Sequence, residues 1–247
     1  SQQVGSFGRT DSGIKLKVGG TRWQFVSKSM FTFLENDFSY HSPALGYEKK
    51  QHNASVRNYG IDQQIQYRIS DTQYIAMEAM YTNNHRHVQP PVTNNQSSEV
   101  LDDANTRVSI NYHNASRIGI LTATAAYVFN DEDYYGSVVS TNRSGQFYVQ
   151  TGFDQNYGTR WNVRYGISYG QYTATSGNFD ERLSEYRVDG FVSARYLIAK
   201  RWIVNANLRQ AVYQDKHAPF APSLGSEFMI VESVAHRLSV KGQGSRA

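Results

Sequence analysis

The chain has no cysteine and only 5 prolines in 247 residues. Without cysteine there is neither a disulfide framework nor a thiolate metal site, so strand pairing and packing must hold the fold. No cationic segment leads into an apolar core at the start, and nowhere do about 18 apolar residues run together, so neither a signal peptide nor a transmembrane helix is present in these residues. A closed barrel is the other structure that can span a bilayer. Lysine and arginine outnumber the acids enough for a net charge of +4 and a pI near 9.1. They are dispersed, however, and the clustered patch that binds nucleic acid is missing. What the chain does have is rings: 18 Tyr, 12 Phe and 3 Trp in a sequence with a mean hydropathy of −0.59.

The rings and aliphatics are arranged with a period of two. In IDQQIQYRI, residues 61–69, bulky or apolar residues stand at Ile61, Ile65, Tyr67 and Ile69 while Asp62, Gln64, Gln66 and Arg68 stand between them; Gln63 breaks the pattern. Alternation of this kind marks a strand with two unlike faces. It recurs at Ile14, Leu16 and Val18, at Trp23, Phe25, Phe31 and Phe33, and at Ile75, Met77, Ala79 and Tyr81. The same reading gives Val108, Ile110 and Tyr112, then Ile118 with the even positions Ile120 to Val128, then Phe147, Val149, Thr151 and Phe153. Trp161, Val163, Tyr165, Ile167 and Tyr169 form the plainest case. Tyr186, Val188, Val192, Ala194 and Tyr196 follow, then Trp202, Val204, Ala206, Leu208 and Val212, with weaker strands around 224–230 and 234–240. Asp62, Arg68, Glu78, Arg107, Arg164, Arg187, Asp189, Arg195 and Arg209 fall on the other phase.

A soluble β-sandwich would also alternate, with its apolar face turned inward. Its strands average about 5 to 6 residues, whereas these reach the roughly 9 to 11 that a tilted transmembrane strand needs. Tyr and Trp gather at strand ends, at Trp23, Tyr59, Tyr81, Tyr112, Tyr157, Trp161, Tyr196 and Trp202, as aromatic girdles do. The connections sort by parity. Those at 19–21, 70–72, 114–117, 156–159, 198–201 and 232–233 are short, while those at 35–56, 83–104, 130–145, 174–183 and 214–222 are long. Short turns on one side and long loops on the other characterise outer-membrane barrels. The expectation is therefore an all-β, antiparallel transmembrane β-barrel with about 12 strands in these residues.

Several stretches resemble a known family when taken in order: VGSFG at 4–8, TRWQF at 21–25, ENDFSY at 35–40, and APFAPSLGSEF at 218–228 followed by a strand ending in GSR. They are similar to the barrel of TonB-dependent outer-membrane receptors, in the cobalamin-receptor-like branch of Bacteroidetes. The resemblance implies a 22-stranded barrel closed by an N-terminal plug, with residues 1–247 forming part of that single barrel domain, and the plug and C-terminal strands lying outside them. It also implies energy-coupled import of a scarce nutrient, cobalamin or another corrinoid, with siderophore, haem or glycan transport as alternatives. Implied partners are outer-membrane lipid, the TonB–ExbB–ExbD complex acting through the N-terminal part, a surface-exposed lipoprotein and a small-molecule substrate. A barrel enzyme and an adhesion or structural subunit of an envelope complex are alternatives from other classes.

The residues themselves show no catalytic constellation: Ser, His and Asp occur in the loops without the spacing of a nucleophile, base and orienter. Likewise, no cofactor motif is present. His85 and His87, or Asp131, Glu132 and Asp133, or Glu99, Asp102 and Asp103, have ligand types suited to a metal, but polar loops are ordinarily just solvated and no metal site is assigned. The resemblance implies a ligand held above the plug by loops and the upper barrel wall, so the candidate substrate-binding residues are the loop residues Tyr40, Tyr47, His85, His87, Tyr134 and Tyr135, with Pro90 and Pro91 stiffening the second loop. Gly166, Gly170 and Gly190 sit within strands, where close packing or bending is the expected role.

Overall fold

A computed structural model describes residues 1–42, 46–89, 98–178, 181–199, 201–214, 216–232 and 237–245. Alternation produces strands throughout: β1 (Gln2–Gly5), β2 (Arg9–Gly19), β3 (Trp23–Leu34), β4 (Ser39–Ser42), β5 (Tyr47–Lys50), β6 (Val56–Arg68), β7 (Gln73–His87) and β8 (Val100–Ser116). The second half supplies β9 (Gly119–Tyr135), β10 (Ser140–Tyr157), β11 (Trp161–Ser176), β12 (Leu183–Ala199), β13 (Trp202–Tyr213), β14 (Lys216–His217), β15 (Ala221–Glu232) and β16 (Arg237–Ser245). One antiparallel sheet runs β1-β2-β3-β6-β7-β8-β9-β10-β11-β12-β13-β15-β16, with β14 also on β13, while β4 and β5 pair separately as a hairpin inside the 35–56 connection. Apart from that hairpin and the two-residue β14, each strand pairs with its sequence neighbour, as in an up-and-down barrel.

Among the described residues, every strand contacts only the strands hydrogen-bonded to it, so no second layer of strands is packed on the sheet. The surface reflects this. A compact protein of 28.0 kDa would expose about 11,000 Å², but this chain exposes 16955 Å². Among the described residues, the buried apolar side chains are Val26, Ala54, Ile203, Ala211 and Met229, whereas Ile61 is 45% exposed and Ile167 53%. A single-layer sheet whose apolar face is bare has no hydrophobic core in water. It is stable where that face meets hydrocarbon.

Register fixes which side chains share the face. Ile61 pairs with Tyr81, Ile65 with Met77, Met77 with Ile110, Val149 with Tyr169, and Tyr165 with Val192, so the apolar phases of successive strands align into one band. On β11 the band extends from Trp161 to Tyr169, about 26 Å along the strand at roughly 3.3 Å per residue and about 20 Å in height at a tilt of about 40°, the scale of the roughly 25 Å apolar belt of an outer-membrane barrel. The Gln63 exception is resolved within the band: its Nε2 donates to Ser27 Oγ on β3 at 2.8 Å, so this outward amide has a partner.

One expected phase is wrong. In β9 the outward residues are Leu121, Ala123, Ala125, Tyr127 and Phe129, not the even positions from Ile120 to Val128: Tyr127 pairs with outward Val108 and Phe147, whereas Thr124 Oγ1 donates to inward Asn111 Oδ1 at 2.8 Å. Both phases of ILTATAAYVF are apolar or small, so alternation does not decide between them and the neighbours' register does.

The connections at 20–22, 69–72, 117–118 and 158–160 are short on one side of the sheet. On the other side the strands continue past the band. The β9–β10 connection expected at 130–145 closes to 136–139, and β7 runs on to His87. The alternation that identifies strands in lipid vanishes on arms with two polar faces, although backbone pairing continues. Pro90 and Pro91, and residues 233–236 of the last turn, lie outside the described residues.

Among the glycines within strands, Gly166 and Gly190 differ in what surrounds them. A Cβ on Gly166 would sit 2.5 Å from Thr151 O and 2.8 Å from the Phe191 ring, which lies over it from the adjacent strand, whereas Gly190 faces open space on the outer side.

Candidate functional site

The inward phase forms a wall of hydrogen-bonding groups. Across β2, β3, β6, β7, β8, β9, β10 and β11 one paired row reads Asp11, Thr32, Asn58, Asn84, Asp103, Glu132, Asn142 and Ser176. Thr32 Oγ1 donates to Asp11 Oδ1 at 2.8 Å, Asn84 Nδ2 to Asp103 Oδ1 at 2.7 Å, Asn142 Nδ2 to Glu132 Oε1 at 3.2 Å and Ser176 Oγ to Asn142 Oδ1 at 2.6 Å. One row nearer the short-turn side, Asn105 is bonded to Asn130, and Asn130 Nδ2 donates to Ser144 Oγ at 3.0 Å. Period two puts these side chains on one face, and antiparallel register lines them up across the strands.

Further toward the short turns the wall becomes ionic. Lys28 Nζ reaches Asp62 Oδ2 at 2.7 Å, and Gln64 Nε2 bridges Asp62 and Glu78 at 3.3 and 3.2 Å. Asp189, only 8% exposed, accepts from Arg187 at 2.5 and 2.8 Å and from Arg209 Nη2 at 3.0 Å, and the Arg187 guanidinium lies 4.7 Å from the Tyr213 ring centroid. Two arginines share one carboxylate, so the cluster carries net positive charge toward the enclosed side. Its members fall on the polar phase of the sequence. The alternation that reveals the lipid face reveals them too, but nothing in a single strand shows that Arg187 and Arg209 converge on one aspartate.

The loop candidates divide. His85 and His87 lie in β7 and Tyr134 and Tyr135 at the end of β9, not in loops, because the hairpin arms stay paired above the band. Tyr40 in β4 and Tyr47 in β5 are on the separate hairpin, where Tyr40 pairs with Lys49 and Tyr47 with Ser42. His85 and His87 are brought together, rings 5.4 Å apart and edge to face, but both are on the outward phase: His85 Nδ1 is 2.5 Å from Asp102 Oδ1, and His87 Nδ1 is 2.5 Å from Ser55 Oγ. Tyr135 shares their phase, paired with Val100 opposite His87, while Tyr134 has the inward phase, in the row of Arg86 and Leu101. Beyond the band, the Tyr134 phenol is held above its ordinary range by its hydrogen bond to Glu99. Two of the acids with ligand types suited to a metal are engaged as well, Asp131 by Arg143 at 3.0 Å and Asp102 by His85. Among the described residues, no three His, Asp or Glu side chains group as metal ligands.

The chain superposes on the siderophore receptor PirA from Pseudomonas aeruginosa with a TM-score of 0.73 at 11% identity, over 97% of this chain and 39% of that one. The fold is that of a transmembrane β-barrel. The FrpB iron transporter from Neisseria meningitidis gives 0.72 at 11% identity, over 92% and 43%, and the ferric-catecholate import receptor Fiu from E. coli K12 gives 0.67 at 9%, over 99% and 49%. The chain therefore spans two fifths to one half of the length of these barrel structures. No protein-family model and no curated protein matches it in sequence.

Proposed function

We propose that the chain is part of a TonB-dependent outer-membrane receptor that imports a scarce nutrient by energy-coupled transport. The observation that carries the reading is the two-faced single-layer sheet, with an apolar band outside and a hydrogen-bonding wall inside that rises into long paired arms on one side only. Such a wall encloses a polar passage, and the arms stand where an external ligand arrives. The likeness to siderophore receptors and an iron transporter supports the same class. Within it, residues 1–247 belong to one larger barrel, completed by further strands and a plug, in the bacterial outer membrane. The partners are lipid around the band, the TonB–ExbB–ExbD complex through the plug side, and a surface lipoprotein over the arms.

For substrate, the order of VGSFG, ENDFSY and APFAPSLGSEF supports a corrinoid, and the named structures support an iron siderophore at least as well. The test is uptake by a strain lacking and then regaining the gene, with labelled cobalamin and a labelled ferric siderophore, each with and without a protonophore. Gene-dependent, protonophore-sensitive accumulation of either is expected. Accumulation unaffected by the gene or by the protonophore would overturn the reading.

A further inference from the structure

On the lipid-facing side of β3, Phe25 and Phe31 stand apart with Ser27 and Ser29 between them. Across on β6, Gln63 pairs with Ser27 and Ile61 with Ser29, and on β7 Ala79 pairs with Gln63. The result is a furrow floored by two serines, about 20 Å long at roughly 3.3 Å per residue. It lies at mid-depth in the band, because Gln63 is midway along β6 between Tyr67 near the short turns and Tyr59 near the arms. Polar groups at this depth need partners. Elsewhere in the band they have them within the chain: Gln210 Nε2 donates to Ala211 O at 3.1 Å and to Ala218 O at 2.7 Å, Thr151 Oγ1 donates to Thr122 O at 3.3 Å, and Ser226 Oγ accepts from Trp202 Nε1 at 2.8 Å. At the furrow the Gln63 amide makes one bond, to Ser27 Oγ at 2.8 Å. Its second hydrogen and its Oε1 are without a bond among the described residues, and so is the hydroxyl of exposed Ser29.

In lipid, small residues that let backbones approach and amides that bond across the contact are what draw segments together. Register identifies the occupant. An amide carries donor and acceptor in one group, so it can satisfy a copy of itself. About a two-fold axis along the membrane normal, each residue meets residues at its own depth on the other copy, and the contact is self-complementary. Ser29 and Ile61 are cross-strand partners at nearly one depth, as are Ser27 and Gln63. The rotation therefore lays Ile61 of each copy over Ser29 of the other and brings the two Gln63 amides within reach of each other. We propose that this face joins two copies of the barrel side by side in the membrane, through β3 and β6. The proposal rests on the barrel fold and not on what passes through it.

The experiment uses the complete gene product, first in its own outer membrane and then reconstituted in lipid vesicles. Oxidation of membranes with copper phenanthroline is expected to link Gln63→Cys into a disulfide dimer, and to leave unlinked both the unsubstituted protein and Ile167→Cys, which is outward on β11 and away from the furrow. In vesicles, self-association is read by energy transfer between labelled copies. Gln63→Leu, which removes the amide, and Ser29→Phe, which fills the furrow, should each raise the dimer dissociation constant at least ten-fold on the lipid mole-fraction scale. Ser29→Ala, which keeps the floor small, should stay within about three-fold of the parent. Heat-modifiable migration of each variant checks that its barrel has formed, and either disruptive variant suffices if the other fails to fold. Absence of a Gln63→Cys dimer, equal linking at Ile167→Cys, association unchanged by the disruptive variants, or linking of Gln63→Cys to a different polypeptide overturns the proposal.

Discussion

At the residue scale the meaning of a side chain depends on its phase. Ile167 and Ser168 are neighbours in sequence, yet Ile167 pairs with Thr151 and Gly190 on the outward face, while Ser168 pairs with Gln150 and Asp189 on the inward one. Asn162, also inward, donates to Asp154 Oδ1 at 2.6 Å and Asn156 Oδ1 at 3.0 Å. An arginine at 167 would stand in hydrocarbon, whereas at 162 it would stand in a polar wall beside Asp154. Ile167→Arg is expected to cost roughly 2 to 4 kcal/mol and Asn162→Arg under about 1, measured by reversible unfolding of the complete protein in lipid vesicles. Equal losses at the two sites would refute the assignment of faces. Most of this was legible in the sequence because Trp161 to Tyr169 alternates without a break. Residues 120–128 were not legible, since both of their faces are small or apolar and only pairing to Val108 and Phe147 orients them.

At the scale of the element, the paired arms are the part that sequence periodicity hides. β9 is 17 residues long and β10 is 18, well beyond the roughly 9 to 11 that crossing a bilayer takes. The surplus is held by ladder hydrogen bonds and by inward bonds such as Asn84 to Asp103 and Asn142 to Glu132. Two wet faces remove the alternation, so His85, His87, Tyr134 and Tyr135 read as loop residues. The long connections were nevertheless legible as a parity of lengths, which is why the side was identified even where the strand ends were not. His87 pairs with Val100, so residues 88–99 can be replaced by Asn-Gly without disturbing the register below. On the importer function proposed above, this excision in the complete protein is expected to leave surface display and heat-modifiable migration normal while weakening capture of the ligand or of the proposed lipoprotein partner several-fold. Normal display with unchanged capture by intact cells would remove this connection from the mechanism.

At the scale of the molecule, the inner wall and the lipid band are two products of one alternation, and their coexistence requires closure. Among the described residues, β1 has β2 as its partner and β16 has β15, so each leaves one row of backbone N–H and C=O groups outside the ladder. In hydrocarbon each such group costs several kcal/mol, more than the apolar band of a four-residue β1 can offset. Pairing β1 with β16 directly would bend a 13-strand path into a cylinder, whereas the similar structures are about twice as long as the part this chain covers. The larger barrel proposed above, with further strands between the two edges, would satisfy both observations. A polypeptide of residues 1–247 alone is therefore expected to aggregate or to stay protease-sensitive in detergent, and the same residues within the complete gene product to resist protease and to migrate faster before boiling than after. A monomeric, protease-resistant, heat-modifiable species from residues 1–247 alone would show that these strands close on themselves, with the passage correspondingly narrower.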